Sequence, residues 1–215
     1  PIVGLEPGRK ITRDTSGRLW VVYTDLRLPG PAWWIFASYS DDDGQTWTEE
    51  PAITGPGEMN TRGHPSIASD SLGNVHITYQ NGGGQIIYRR RIAAGWQAFE
   101  IVEVGIGSES RIAIDSQDNI NISWIVGVPP GTTGVRYRQK TAAGVWQAQE
   151  DIVVLADQLS LDMAIDLNND VYVVWNGLNL GAWPAQRNIA YRRRSAGVWV
   201  AQELILLAYH LQPHQ

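Results

Sequence analysis

Short segments in which apolar and polar residues alternate recur along the chain and predict β-strands. Four of them are residues 20–23, 75–79, 120–124 and 171–175, which read WVVY, VHITY, INISW and VYVVW. A period of two places successive side chains on opposite faces of a strand, and β-branched and aromatic residues favour this conformation. No long segment has apolar residues at helical spacing, so the pattern predicts an all-β protein.

These segments are the second strands of a unit that recurs four times. Each unit has an aspartate-led turn, an alternating strand, a strand that carries Tyr-Arg or its equivalent, a glycine turn and a tryptophan. The leading aspartates and the tryptophans are Asp14, Asp70, Asp115 and Asp166, and Trp47, Trp96, Trp146 and Trp199. The tryptophans recur every 49 to 53 residues and the aspartates every 45 to 56. The variable length therefore lies between the second and third strands.

A repeat of about 50 residues with four strands is typical of a β-propeller blade, because one small antiparallel sheet cannot bury both of its faces alone. We label the strands of each blade a, b, c and d. The prediction is a single propeller domain over residues 1–215, with blades at approximately 8–57, 62–104, 109–155 and 160–207. Two arrangements are compatible with it: a closed four-bladed ring, or an arc that a homo-oligomer or further sequence completes.

Composition narrows the classes of function. A chain of 215 residues can bury a full core without metals, and the absence of cysteine removes disulfides, zinc-thiolate sites and cysteine nucleophiles. A net charge of -5 without a basic cluster argues against a nucleic-acid partner, and the apolar runs are too short for a membrane span. We expect no cofactor. Because the chain starts with Pro1 rather than methionine, a processed leader or a cut from a longer polypeptide fits as well.

The stretch SDDDGQTW, residues 40–47, contains the spacing S-x-D-x-G-x-T-W. The matching residues are Ser40, Asp42, Gly44, Thr46 and Trp47. This spacing resembles the Asp box, or BNR repeat, of sialidase-like β-propellers. The resemblance implies that the stretch forms a c to d turn with its tryptophan packed between neighbouring sheets, in a structural and not a catalytic role. The other three units keep a glycine near the tryptophan but lack the aspartate pattern.

Three consecutive aspartates, Asp41, Asp42 and Asp43, could also be calcium ligands, since clustered carboxylates suit a hard cation. One such loop supplies too few converging oxygens for that, and a self-capped turn is the preferred interpretation. We therefore predict no metal site.

The repeat also supplies interpretations for its tryptophans and arginines. We expect the four repeated tryptophans to form the core between blades. The c-strand arginines are expected to form exposed cross-strand ion pairs with glutamates of strand d, with a clamp for phosphate or carboxylate as the alternative. The expected pairs are Arg89 with Glu100, Arg138 with Glu150, and Arg192 with Glu203.

The variable b to c loops and the connections between blades share one face of a propeller, and such loops are where binding residues concentrate. Three tryptophans there, Trp33, Trp34 and Trp183, belong to no repeat position. Flat aromatic rings beside hydrogen-bonding groups suit sugars, although these rings could also fold back onto the blade edges. The predicted ligand-binding residues are Asp25, Arg27, Trp33, Trp34, Arg62, His64, Asn81, Arg111, Asn176 and Trp183.

Catalysis is the main alternative to binding. The sialidase resemblance implies an arginine triad, an aspartate acid/base and a tyrosine/glutamate nucleophile pair, and Arg9, Arg27, Arg62 and Arg111 could imitate the triad. However, PAWWIF has no carboxylate where the family's loop-borne acid is expected. A retaining glycosidase needs two neighbouring carboxyl groups, and the spacing of the candidate carboxylates pairs none of them. These candidates are Asp25, Glu58, Glu109 and Asp157.

The sequence thus favours a non-catalytic propeller that acts as a binding or structural module, with a glycan or a partner protein as ligand, and assigns no catalytic residue. The alternatives are an exo-sialidase-like glycoside hydrolase, and an assembly component of a virion, a phage tail or a cell surface. An extracellular or virion-surface location would fit each of these.

Overall fold

The computed structural model describes residues 9–27, 32–54, 58, 63–128, 132–155, 158–178 and 187–205. Within these ranges every regular element is a β-strand, and the strands form four separate antiparallel sheets. This confirms the predicted all-β propeller of four-stranded blades. No helix in these ranges has the length and apolar character that a membrane span requires.

Blades 1 and 2 are sheets of strands that follow one another in sequence. Blade 1 consists of β1 (Ile11–Arg13), β2 (Leu19–Arg27), β3 (Ala32–Ser40) and β4 (Thr48–Glu49). Blade 2 consists of β5 (Ser66–Ser69), β6 (Val75–Gln80), β7 (Ile86–Ile92), β8 (Gly95–Trp96) and β9 (Glu100–Glu103). Both β8 and β9 pair with β7, so strand d of blade 2 is in two pieces.

Blades 3 and 4 repeat this order. Blade 3 consists of β10 (Gly107–Ile114), β11 (Ile120–Val128), β12 (Thr132–Lys140) and β13 (Glu150–Leu155). Blade 4 consists of β14 (Gln158–Ile165), β15 (Val171–Leu178), β16 (Arg187–Ser195), β17 (Val198–Trp199) and β18 (Glu203–Ile205). Its strand d is again in two pieces, β17 and β18.

The four a to b turns are closed by the aspartates that lead them. In blade 3, for example, Asp115 Oδ1 accepts the backbone N–H groups of Gln117 at 3.0 Å and Asn119 at 2.9 Å. The same aspartate oxygen closes the other three turns. One residue in each turn has a positive φ, which glycine, asparagine and aspartate tolerate best: Gly17, Gly73, Asp118 and Asn169. The aspartate-led turns that the repeat predicts are therefore present in all four blades.

Successive blades bury a shared apolar core. One cluster joins blades 1 and 2, a second joins blades 2 and 3, and a third joins blades 3 and 4. Trp96, Trp146 and Trp199 pack against these three clusters, respectively. Trp47 does not follow them, because 43% of its surface is exposed and its indole N–H donates to the carbonyl of Gly44. The prediction that Trp47 is inter-blade core is therefore wrong.

The SDDDGQTW stretch lies between β3 and β4, and each of its aspartates has its own partner. Asp42 accepts the backbone N–H of Thr46 at 2.8 Å and the Thr46 hydroxyl at 2.6 Å, and these bonds lower the pKa of Asp42 to about 2. Asp41 and Asp43 pair with Arg18 and Arg13. The stretch is a self-capped turn. In the part of the chain that the structure describes, no group of three His, Asp or Glu side chains is arranged to hold a metal.

A buried polar chain in blade 2 predicts how stability depends on pH. Asp70 contacts His76 Nε2 at 3.0 Å, and His76 Nδ1 lies 2.8 Å from the Tyr88 hydroxyl. Burial alone would raise the pKa of Asp70, but the hydrogen bonds with His76 and Asn74 outweigh it and lower the pKa from 3.8 to about 2. The stability that ionised Asp70 contributes is therefore complete above about pH 4 and lost as the pH falls toward 2.

Urea denaturation at pH 7, 4 and 3 checks this expectation. Asp70→Asn should destabilise the protein at pH 7 and show a smaller decline below pH 4 than the wild type. Asp43→Asn, which removes a carboxylate that is 77% exposed, should keep the wild-type decline. An identical acid decline in Asp70→Asn and wild type would show that the Asp70 chain does not carry this effect.

Candidate functional site

One position of the innermost strand recurs in all four blades. It lies four residues before the turn aspartate and is occupied by Lys10, Ser66, Arg111 and Asp162. Strands β5, β10 and β14 bring Ser66, Arg111 and Asp162 to one cavity. The Lys10 ammonium group instead donates a hydrogen bond to the Pro65 carbonyl at 2.6 Å. The repeat thus places chemically different side chains at equivalent positions around one space.

The cavity has a volume of about 370 Å³, within the range of small-ligand sites. Its lining consists of Arg9, Ser66, Arg111, Ile112, Asp162, Met163 and Ala164. Three blades contribute side chains, and Arg9 comes from the segment directly before β1. The lining combines two cations, one carboxylate and one hydroxyl with a small apolar surface.

Arg111 is the buried centre of this site and is only 3% exposed. Its Nη1 donates to the carbonyls of Glu109 and Ser110 at 3.0 and 3.1 Å. Two carboxylates flank the guanidinium: Glu109 Oε2 lies 3.8 Å from Nη2 and Asp162 Oδ1 lies 3.6 Å from Nε. Burial lowers the pKa of Arg111, and the two carboxylates offset part of this effect. Arg111 nevertheless stays charged at neutral pH.

Glu109 lies in a β-bulge of strand β10. The pairing of β10 with β11 shifts register between Ser108 and Arg111, and Glu109 has a φ of 48°. Bulges re-aim side chains beside functional sites. Burial raises the pKa of Glu109 above its usual value, and Arg111 and Ser160 offset only part of the rise. The Glu109 side chain is therefore more readily protonated than an ordinary glutamate.

Several buried polar atoms of this cluster have no hydrogen-bond partner among the residues that the structure describes. They are Arg111 Nε, Glu109 Oε2 and Asn176 Oδ1. Asn176 is the cross-strand partner of Ser160, which contacts Glu109, so all three atoms belong to one neighbourhood. Buried polar atoms are normally hydrogen-bonded, so three unpaired polar atoms lie buried beside the cavity that Arg111 lines.

The predicted ligand-binding residues divide between this site and other places. Arg111 lines the cavity, and Asn176 lies beside it as the cross-strand partner of Ser160. Asp25 pairs across the strands with Trp34 in blade 1, where Trp34 stacks on Phe36 with ring centroids 6.4 Å apart, and Trp33 pairs with Leu26. Both tryptophans are half-buried and lie within β3, not in the b to c loop where the sequence placed them.

The remaining predicted residues lie elsewhere. Asn81 closes its own turn, because its Oδ1 accepts the backbone N–H groups of Gly83 and Gln85 at 3.0 and 2.9 Å. His64 precedes β5 with a φ of 44°. Arg62, Trp183 and the side chain of Arg27 lie outside the described residues.

Sequence reasoning missed Asp162 and Ser66. The signal that could have identified them is the spacing itself, since Asp162 precedes Asp166 by the same four residues by which Arg111 precedes Asp115. Alternation alone does not distinguish Asp162, because a polar residue is expected at every second position of a strand such as β14.

The fold resembles several propellers of known structure. An α-L-arabinanase of Penicillium chrysogenum in complex with arabinobiose has a TM-score of 0.68 at 13% identity, over 96% of this chain and 68% of that chain. A GH93 α-L-arabinofuranosidase of Fusarium graminearum in complex with arabinobiose has a TM-score of 0.66 at 16% identity, over 91% and 65%. The intramolecular trans-sialidase from Ruminococcus gnavus in complex with oseltamivir carboxylate has a TM-score of 0.57 at 13% identity, over 88% and 43%.

These similarities establish a sialidase-like propeller fold at low sequence identity. The chain spans between 43% and 68% of the length of these three structures. No protein-family model matches the sequence, and no curated protein matches it.

Proposed function

We propose that this chain is a carbohydrate-binding propeller unit and that the cavity around Arg111 is its sugar site. The observation that carries the proposal is the buried guanidinium held between two carboxylates in a cavity of about 370 Å³. Guanidinium N–H groups donate and carboxylate oxygens accept, so together they complement sugar hydroxyl groups, which do both. Ala164 is the exposed apolar residue of the lining, since the side chains of Ile112 and Met163 are buried in the cores between blades.

The similar structures support the same ligand class. Two of them are described with arabinobiose bound, and the third with a sialidase-type carboxylate ligand. The arrangement in this chain, with two arginines and two carboxylates, favours a hydroxyl-rich sugar over a purely anionic ligand. An arabino-oligosaccharide is therefore the first probe, with sialyl-oligosaccharides as the second.

Isothermal titration of the protein with arabinobiose, arabinotriose and sialyllactose tests the proposal. We expect at least one of these sugars to bind. Asp162→Asn should raise its Kd by about fivefold, corresponding to loss of about 1 kcal/mol from one hydrogen bond to a largely exposed carboxylate. Because 75% of the Asp162 side chain is exposed, this variant should fold normally.

Asp43→Asn is the matched control. Asp43 is also an exposed carboxylate paired with an arginine, Arg13, but it belongs to the turn between β3 and β4. Its replacement should leave sugar binding unchanged. Failure of all three sugars to bind at millimolar concentration, or equal affinities of Asp162→Asn and wild type, would contradict the proposed site.

A second candidate function, glycoside hydrolysis, is favoured by one specific observation. Glu109, with its raised pKa, and Asp162 both lie within 4 Å of the same guanidinium. A carboxyl group kept protonated by burial is suited to donate a proton to a leaving group, while an exposed carboxylate stays ionised. In this alternative Glu109 is the general acid and Asp162 is the base or nucleophile.

Hydrolysis of chromogenic arabinosides and sialosides distinguishes catalysis from binding. If the alternative holds, turnover should fall by roughly 100-fold or more in Glu109→Gln. The rate should also decline as the pH rises through the pKa of Glu109, because the acid must hold its proton. Sugar binding without turnover, and with no dependence on Glu109 protonation, identifies the chain as a non-catalytic binding unit.

A further inference from the structure

The three joints between successive blades use the same polar contacts. An arginine of the later blade's strand c donates to a backbone carbonyl in or shortly after strand d of the earlier blade, and a second cation two residues on pairs with a glutamate of the same segment. The carbonyl contacts are Arg89 to Ile53, Arg138 to Val102 at 3.0 Å, and Arg192 to Ile152 at 2.6 Å. The ion pairs are Arg91 with Glu50 at 2.8 Å, Lys140 with Glu100 at 2.6 Å, and Arg194 with Glu150 at 2.8 Å.

These contacts correct the expected cross-strand ion pairs. Register places Tyr88, not Arg89, opposite Glu100, so alternation directs the arginine toward the neighbouring blade. The same holds in blades 3 and 4. The arginines and glutamates of the three joints therefore connect neighbouring blades and do not form the exposed ion pairs within a blade that the sequence predicted.

Each of the two later joints also has an aromatic component. The indole of Trp146 packs edge-on against Tyr88 with centroids 5.6 Å apart, and Trp199 packs in the same way against Tyr137 at 5.3 Å. Lys140 lies 5.0 Å from the centre of the Tyr88 ring. The earlier blade of these joints thus supplies a tyrosine, a glutamate and a carbonyl, and the later blade supplies two cations and a tryptophan.

Blade 4 has the same tyrosine, glutamate and strand d carbonyl that the earlier blade contributes to each of these joints. Tyr191 holds the position of Tyr88 and Tyr137, and its hydroxyl donates to Glu203 at 2.6 Å. Ile205 follows Glu203 by the two residues that separate Glu150 from Ile152. We call Ile189, Tyr191, Glu203 and Ile205 the acceptor face of blade 4.

Among the described residues, this face lacks the cover that its equivalents have. Ile205 is 47% exposed, whereas Val102 and Ile152 are 2% and 3% exposed. Ile189 is 38% exposed, whereas Val135, two residues before Tyr137, is fully buried. The acceptor face therefore combines exposed apolar surface with a carboxylate and an aromatic ring that both attract cations.

We propose that the acceptor face binds a further blade of the same repeat. That blade carries a basic pair two residues apart on its strand c and a tryptophan after a glycine turn. This assignment rests on charge complementarity at the three internal joints. In each joint, two cations of the later blade bind the glutamate and the backbone carbonyl of the earlier blade.

A second copy of this chain does not have the matching chemistry. The first blade has Ser38 and Ser40 at the two positions that the basic pair occupies in the other blades. The hydroxyl of Ser40 also donates to Asp42 at 2.7 Å. Blade 1 therefore offers the acceptor face no cation at either position, and a blade of different sequence is required.

A tandem extension of the protein tests the proposal. A copy of residues 158–205, which contains Arg192, Arg194 and Trp199, is fused after residue 215, so that residues 206–215 serve as the linker. Hydrogen exchange followed by mass spectrometry then compares the extended and parent proteins. We expect exchange of the peptide that contains original residues 203–205 to slow by about tenfold or more in the extended protein.

Matched variants make the result specific. Glu203→Gln should have little effect in the parent, where the carboxylate is exposed, but should remove most of the protection in the extended protein. Glu150→Gln, at an internal joint, should destabilise both proteins equally. An extension whose copied arginines are replaced by serine should give no protection.

Three results would overturn the proposal. The first is unchanged exchange at residues 203–205 in the extended protein, and the second is protection that persists in the serine-substituted extension. The third is dimerisation of the parent protein in light scattering that Glu203→Gln abolishes, because this would identify a second copy as the occupant.

Discussion

Trp146→Ala is expected to lower the free energy of unfolding by about 3 kcal/mol, at the lower end of the effect of removing a core tryptophan. The indole ring packs against Tyr88 and the cluster between blades 2 and 3, and its N–H donates to Glu100 at 2.8 Å. Truncation therefore leaves a cavity between two blades and removes a hydrogen bond to a carboxylate. Urea denaturation at pH 7 measures the change.

Trp47→Ala provides the matched comparison. Trp47 has the same place in the repeat, but it is 43% exposed and its indole N–H bonds within its own turn. Its replacement should cost less than about 1 kcal/mol. Equal losses at the two positions would mean that Trp47 is covered in solution as Trp146 is, and would contradict the 43% exposure of Trp47.

Arg111→Met is expected to raise the Kd of the sugar identified by titration by roughly 10- to 150-fold, or about 1.5–3 kcal/mol for a charged hydrogen-bonding group. The substitution retains much of the side-chain volume but removes the donors from the centre of the cavity. Removal of the Arg111 charge also removes an interaction that lowers the pKa of Glu109, so that pKa should rise further in the variant. Circular dichroism and isothermal titration of the same sample separate binding from folding.

Arg13→Met is the control for charge. Arg13 is 49% exposed and pairs with Asp43 at 2.8 Å, in contrast to the buried Arg111. Its replacement should leave the Kd within experimental error. A comparable loss of affinity in both variants would indicate a general effect of net charge, and the assignment of the cavity would be wrong.

The architecture could be predicted from the sequence because its signals are local. Alternation within ten residues identifies a strand, and an aspartate followed by a residue that tolerates positive φ, such as Gly73 or Asn169, identifies a turn. Repetition of these signals then indicates blades. Of the predicted ligand-binding residues, Arg111 lines the cavity, although it lies within β10 and not in the connection between blades.

The errors concern relations between blades. Arg89 was paired with Glu100 because the two lie close in a hairpin, yet the pleat directs Arg89 to the carbonyl of Ile53 in the preceding blade. Trp47 follows the repeat in sequence but has no earlier blade to pack against among the described residues. Asp162 is a related case, because its position beside Ser66 and Arg111 arises only when three innermost strands converge on one cavity.

The most direct test of the sugar site is a crystal structure of the protein with the oligosaccharide that binds best in titration. We expect sugar oxygens at hydrogen-bonding distance, about 2.7–3.2 Å, from the Arg111 guanidinium and the Asp162 carboxylate. A sugar bound only against Trp33 and Trp34, with Arg111 making no contact to it, would contradict the account and return the site to the loop face.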